Sequence, residues 1–408
     1  MLSHARVGTE DEGLDLSRMR RERRVRLRSE MEQRGVGALV LLGTSAVQYA
    51  VGASHVLADG SHAVSERVIA VMVAGDELPH LYTPYPDGCP TELVGSHCHP
   101  PLHPGSPEGA VALFTAVAEV AGGRVEGALA VDEMTAPMYV CVSRILGDVP
   151  VVDAGEPLAA AKTVKTADEI EGIRRAQRIN EVAMYDVEAM LRPGVRQSEL
   201  TGVFLRRIFE LGATGNWIDP IFQPMALSIA AGPYTTNGDV AFPLCSTDRI
   251  LSEGDVVWVD SGVDYFGYAS DFGTTWLVND RPEPTARQRS QFERWKAVVE
   301  ATLSVTRPGA TGADLTKAAI EANDGAVPWL EHFYLIHGIG TSSAETPLIG
   351  SHLGPEFDAG ITLAPGMVLV LEPVIWEDGY GGYRFEEIVA VTEHGYLPLG
   401  NYPYSPFE

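Results

Sequence analysis

Apolar positions change their spacing along this chain, and the changes divide it. Residues 16–34 are charged, with Met19, Val25, Leu27 and Met31 scattered through them, a pattern that predicts a surface helix with a largely solvated arginine face. Residues 38–42, 68–73 and 127–131 are short apolar runs of strand length, and residues 107–121 read as helix. Residues 1–160 are therefore expected to form a smaller N-terminal α/β domain. Over residues 162–191, Ile170, Ile173, Ala176, Ile179, Val182 and Met184 recur at helical spacing with charges between them. This long helix opens a second domain, residues 161–408, and the whole chain is of mixed α/β (α+β) class.

The long helix ends at Arg192-Pro193-Gly194-Val195, and another helix follows over residues 199–211. The same device returns 115 residues later: a charged helix over 287–305, then Arg307-Pro308-Gly309-Ala310, then a small helix over 313–322. Strand-rich segments, 255–277 and 366–391, lie between and after these units. A duplicated helix-plus-hairpin unit would set two similar halves about a pseudo-two-fold axis, with a site where they meet. Chance matching of two short motifs is the alternative.

Composition narrows the classes. Of 408 residues, 45% are hydrophobic and 21% charged, ordinary values that exclude a disordered or fibrous chain. The formal charge of −25 repels phosphate backbones and anionic lipid, which argues against nucleic-acid and membrane partners. Only four of the 30 basic residues are lysine, Lys162, Lys165, Lys296 and Lys317, a skew that fits a GC-rich genome better than a function. Cys89, Cys98, Cys141 and Cys245 form no CxxC pair, so a reducing cytoplasm is expected. Residues 1–15 lack the basic and apolar regions of a signal peptide, and the apolar run at 36–43 is too short to span a bilayer.

The candidate chemistry lies in carboxylates at strand ends. Val256-Val257-Trp258-Val259 runs into Asp260, and Tyr268-Ala269-Ser270 into Asp271, across a turn containing Gly262 and Gly267. A hairpin would face these acids across one surface, about 5 Å apart at Cβ, where they repel unless a cation or proton intervenes. Met367-Val368-Leu369-Val370-Leu371 likewise runs into Glu372-Pro373, and Tyr383-Arg384-Phe385 into Glu386-Glu387. Of the last two acids, only one can aim inward. His337 stands in Leu335-Ile336-His337-Gly338-Ile339-Gly340. Alone it would be read as a hydrogen-bonded core residue. With four carboxylates it completes a hard, oxygen-rich set suited to two divalent ions.

In order and local setting, Asp260, Asp271, His337, Glu372 and Glu386 resemble the metal ligands of the pita-bread metallopeptidases: methionine aminopeptidase, aminopeptidase P, prolidase and creatinase. The resemblance covers roughly residues 160–400, with a weaker one at Tyr49–Gly52 to the N-terminal domain of the aminopeptidase P and prolidase type. It implies a pita-bread catalytic domain and a homodimer acting on short peptides or a small molecule; with four carboxylates among five donors, manganese or iron is favoured for the two divalent ions, with cobalt or zinc possible. Glu372 and Glu345 are the candidate catalytic residues. There are departures too. Where the peptidases carry two further histidines, this chain has Pro243 and Ala344, and their Thr-Arg-Thr reads Gly273-Thr274-Thr275. Such histidines are expected to handle the scissile carbonyl, a role in which one donor is worth roughly 3 kcal/mol.

Three functions follow: a metal-dependent C–N hydrolase of Xaa-Pro type; a non-peptidase of the same fold acting on a small zwitterion, such as a lyase resembling the dimethylsulfoniopropionate enzyme; and a non-catalytic binding module. Gly232–Asn237 is faintly similar to a segment of that lyase. Trp217 and Tyr234 are pocket-lining or core aromatics. His97-Cys98-His99 with His103 is metal-like, but no partner segment shows in the sequence, and a loop bordering the active-site mouth is expected.

Overall fold

A computed structural model describes residues 14–53, 67–228, 246–279, 283–330 and 333–405. Asp15–Lys162 makes one compact unit, and the chain from Thr163 onward belongs to another.

The first unit runs α1 (Leu16–Gln33), β1 (Val36–Leu41), α2 (Thr44–Val51), β2 (Ile69–Val73), β3 (His80–Tyr82), β4 (Cys98–His99), α3 (Pro107–Val120), β5 (Ala128–Val131), α4 (Ala136–Leu146), β6 (Val151–Asp153) and α5 (Gly155–Thr163). Its sheet has the order β4-β3-β2-β1-β5-β6. Every residue of β1 is buried, because both faces are covered. Leu39 and Leu41 pack with Leu27 and Met31 of α1, whereas Ala38 and Val40 share a core with Leu113, Phe114 and Val117 of α3. Strand alternation thus turns one continuous apolar run into two cores.

Two sequence expectations fail here. The arginine face of α1 is not largely solvated, since Arg23 and Arg24 are buried. Arg20 and Arg24 reach Glu92 at 2.6 and 3.2 Å, and the Arg23 guanidinium lies 5.4 Å from the centre of the Tyr49 ring, so distant partners replace water. Cys98 and His99 are not in a loop but in β4, paired in parallel with Leu81 and Tyr82.

The second unit contains α6 (Ala167–Glu188), α7 (Gln197–Glu210), β7 (Gly215–Pro224), β8 (Val256–Tyr265), β9 (Tyr268–Ala269), β10 (Phe272–Leu277), α8 (Ala286–Val305), α9 (Gly312–Ala322), β11 (Ile336–Gly338), β12 (Glu345–Ile349), α10 (Pro355–Gly360), β13 (Val368–Leu371), β14 (Val374–Glu377), β15 (Gly381–Arg384), β16 (Glu387–Val391) and β17 (Tyr396–Pro398). Helix, turn, helix and sheet occur twice in the same order. Capping boxes open both α6 and α8, satisfying backbone donors that the first turn leaves free. Gly194 and Gly309 turn the chain after each proline at φ 89° and 83°, a region glycine enters without strain. One sheet is β10-β8-β7 and the other β12-β11-β13-β16-β17, with β14-β15 as a separate ribbon. Ala176 and Ile179 of α6, Trp295 of α8, Val257 of β8 and Leu369 of β13 share one core. No helix among the described residues is long and apolar enough to cross a membrane.

Candidate metal centre

β8 returns through β9 into β10 at Phe266 and Gly267, both with positive φ, 50° and 81°. That two-residue turn fixes the register. Asp260 consequently pairs with Gly273, not with Asp271, and the two acids are diagonal neighbours instead of facing ones. The glycine opposite Asp260 leaves necessary space: a Cβ there would fall 2.4 Å from Arg384 Nη1 and 2.6 Å from Glu386 Oε1. Behind the hairpin, Asn180 of α6 donates to the Ser261 carbonyl at 3.1 Å and to Ser270 Oγ at 3.0 Å, and accepts from Ser261 Oγ at 2.9 Å. With both serines held against the helix, alternation turns the adjoining Asp260 and Asp271 to the other face.

The second hairpin is bent. β13 and β16 pair as far as Leu371 opposite Glu387, and β14 and β15 resume at Val374 opposite Arg384. Glu372 and Glu386 lie across from each other in the break, next to Pro373, which has no amide proton to continue the ladder. Arg384 and Glu386 share a face; Glu387 takes the other, where its carboxylate accepts from the Tyr404 hydroxyl. On β11, His337 pairs with Val370 and places Nε2 3.4 Å from Asp271 Oδ2 and 3.5 Å from Glu372 Oε1. The five residues singled out as ligands therefore converge.

All five are at most 8% exposed. Oxygens of Asp260, Asp271 and Glu386 lie within 4.8 Å of one another. Arg384 Nη2 meets Asp260 at 3.1 Å and Glu372 at 3.0 Å, and it also touches Glu386. One guanidinium does not neutralise four carboxylates. Burial, opposed by Arg384 and reinforced by Asp271, pushes Asp260 up to about 6. Burial likewise carries Glu372 to about 7 against the pull of Arg384 and His337. For His337, burial works downward, but Asp271 and Glu372 outweigh it and raise the imidazole to about 8. Glu386 Oε2 is buried and has no hydrogen-bond partner. His337 Nδ1 lies 2.9 Å from the Gly338 carbonyl, and a proton held there would leave Nε2, which faces the acids, as the atom that exchanges its own proton for a cation. Four buried oxygen donors and one oriented nitrogen fit divalent cations.

Other singled-out residues take other places. Glu345 pairs across β12 with Gly338; its carboxylate accepts from the Ser342 amide at 3.1 Å and lies 3.4 Å from Lys165 Nζ. Ala344 is exposed just before β12. Thr275 locks the Arg384 backbone, accepting from its amide at 2.9 Å and donating to its carbonyl at 2.8 Å. Trp217 is half-buried on β7. Pro243, Tyr234 and the 232–237 segment lie outside the described residues. Sequence reasoning missed Asn180, Arg384 and Lys165 as supports. Two of them left a signal: Asn180 is a polar residue on the buried stripe of α6, and Arg384 stands two residues before Glu386 on one strand face.

Residues 171–393 match the model of metallopeptidase family M24. The chain belongs to that family, whose members are metal-dependent hydrolases of the peptidase type. It is 28% identical over 291 residues to the probable dipeptidase PepE of Mycobacterium bovis, covering 71% of this chain and 72% of that one. It is 29% identical over 237 residues to the Xaa-Pro dipeptidase of Pyrococcus furiosus, covering 57% and 62%. Among solved structures, dipeptidase PepE from Mycobacterium ulcerans matches with a TM-score of 0.73 at 25% identity over 96% of this chain and 98% of that one. An Xaa-Pro dipeptidase from Bacillus anthracis matches with 0.74 at 21% identity over 95% and 99%. The fold is the pita-bread fold of the prolidases, with a smaller α/β unit before it.

Proposed function

We propose that this chain hydrolyses the C–N bond of short peptides, of the dipeptide or Xaa-Pro class, at a dinuclear centre. The convergence of Asp260, Asp271, His337, Glu372 and Glu386 in one buried cluster carries the proposal. Asp260, Asp271 and Glu386 would hold one ion, and Asp271, His337 and Glu372 the other. Manganese or ferrous iron suits four carboxylates and one imidazole better than zinc, with cobalt and zinc as alternatives. Bound ions supply Lewis-acid polarisation of the substrate oxygen and a water of lowered pKa. Arg384 orients Glu372 and Glu386 from one side. Glu372, between Arg384 and His337, is the ligand placed to accept a proton, and Glu345, anchored by Lys165, is the second candidate catalytic carboxylate.

Ala344 favours a second proposal. Its exposed methyl donates nothing to a carbonyl oxygen, so a small amino-acid-like or zwitterionic molecule, cleaved by hydrolysis or elimination, is the competing substrate class. Five intact donors argue against a purely binding role. A homodimer is also proposed, supported by an apolar sheet edge discussed below.

Metal analysis of protein purified without chelators, followed by a panel of dipeptides and small zwitterions, tests these proposals. The expected result is about two ions per chain and peptide turnover. Full activity after thorough demetallation would remove the metal-dependent reading, and turnover of zwitterions alone would select the second substrate class.

A further inference from the structure

The first unit contains a second cluster of donors, remote in sequence and different in chemistry. Asp76 lies between β2 and β3, His80 opens β3, and His97 immediately precedes β4. The parallel pairing of β3 with β4, continued by the Leu81 amide donating to the His97 carbonyl at 2.7 Å, brings these segments together. His80 Nε2 lies 3.2 Å and His97 Nε2 3.4 Å from the same atom, Asp76 Oδ2. One ligand atom from each of the three falls within 4.8 Å of the others.

We propose that Asp76, His80 and His97 bind one divalent transition-metal ion of the zinc type. With metal–nitrogen bonds of about 2.0–2.1 Å, neighbouring ligands of a tetrahedral ion are separated by about 3.3–3.4 Å, close to the two observed separations. Both imidazoles are held by their other nitrogen. His80 Nδ1 lies 2.9 Å from His99 Nε2, and His97 Nδ1 lies 2.9 Å from Ser96 Oγ. With protons at these Nδ1 atoms, both Nε2 lone pairs face Asp76, as outer partners arrange in metal sites. His97 Nε2 is buried and makes no hydrogen bond, its 3.4 Å approach to Asp76 lacking the required alignment. Stacking fixes the ring planes: His80 on His97 at 4.6 Å, His80 on His99 at 5.2 Å and His99 on Tyr82 at 4.7 Å between centroids.

His80 is 7% exposed, while the Asp76 side chain remains 33% exposed and gives an ion a way in. Three protein donors leave a fourth position for water or another ligand. Two nitrogens and one oxygen form a more nitrogen-rich set than the carboxylate centre, so the two sites should prefer different metals.

The experiment is a zinc titration of the full-length Asp271→Asn chain, in which the carboxylate centre is weakened, with bound zinc measured by mass spectrometry after desalting. It is compared with the same chain carrying His97→Gln or Asp76→Asn, each checked for fold by circular dichroism. The expected result is the loss of about one zinc equivalent per chain in both double variants, together with loss of the zinc-induced rise in thermal midpoint. Cobalt should give tetrahedral absorption that His97→Gln abolishes. Unchanged zinc content and an unchanged thermal response in folded double variants would overturn the proposal and leave the cluster an Asp–His hydrogen-bond network.

Discussion

Gly273 contributes no charge to the centre, yet its missing side chain decides whether Arg384 and Glu386 can meet Asp260. Gly273→Ala should lower metal content and reduce turnover about 100-fold, the scale on which supports of a metal site act, with the fold retained by circular dichroism. The proposed ligands should cost at least as much: Asp271→Asn and Glu386→Gln are each expected to lose both metal and activity, and normal metal content in either variant would contradict the ligand assignment. The five residues that converge were legible as candidates because each follows an apolar strand or stands among glycines. Their register was not. Asp260 faces Gly273 because Phe266 adopts a positive φ, a conformation its side chain does not announce. Asp76 and His80 were illegible for another reason: their relation to His97 exists only once β3 and β4 pair.

At the scale of elements, α1 and α6 show how burial converts polar residues into fastenings. The periodicity of α6 identified its buried stripe, but Asn180 on that stripe had no visible partner until the serines of the first hairpin came against it. Likewise, the arginines of α1 looked solvated because Glu92 is 68 residues beyond Arg24. Burial acts to raise the Glu92 carboxyl, but hydrogen bonds and charge from Arg20, aided by Arg24, outweigh it and hold the group down at about 2. A carboxyl whose folded pKa is depressed stabilises above its unfolded value near 4.5, and that contribution fades as pH falls towards about 2. After allowance for solvent screening, about 1–2 kcal/mol is at stake. Urea unfolding of the native chain and Glu92→Gln should therefore differ by that amount at pH 6, and the difference should shrink below pH 4.5 and vanish only as pH falls to about 2; a difference independent of pH would exclude the ion pair as its source.

For the molecule as a whole, strand spacing and the repeated Arg-Pro-Gly units made the mixed α/β order readable, because periodicity survives without knowledge of contacts. Association between chains has no such periodic signature and must be argued from what the folded surface leaves open. In the first unit, β6 is the last strand of its sheet, and both Val151 and Val152 are 41% exposed. Successive strand residues point to opposite faces, so this edge presents apolar side chains on both of them as well as an unpaired backbone rim, a combination that invites pairing. A charged residue there would be the usual protection, and the only acid in the strand is its last residue, Asp153. We expect light scattering to give roughly twice the 43.9 kDa chain mass across a dilution series, and Val152→Lys to move dissociation to at least about tenfold higher concentration, the equivalent of about 1.4 kcal/mol. Activity followed over the same series separates assembly from catalysis: a native chain that stays monomeric and fully active at every concentration would show that no partner subunit, docked at β6 or elsewhere, is needed for activity.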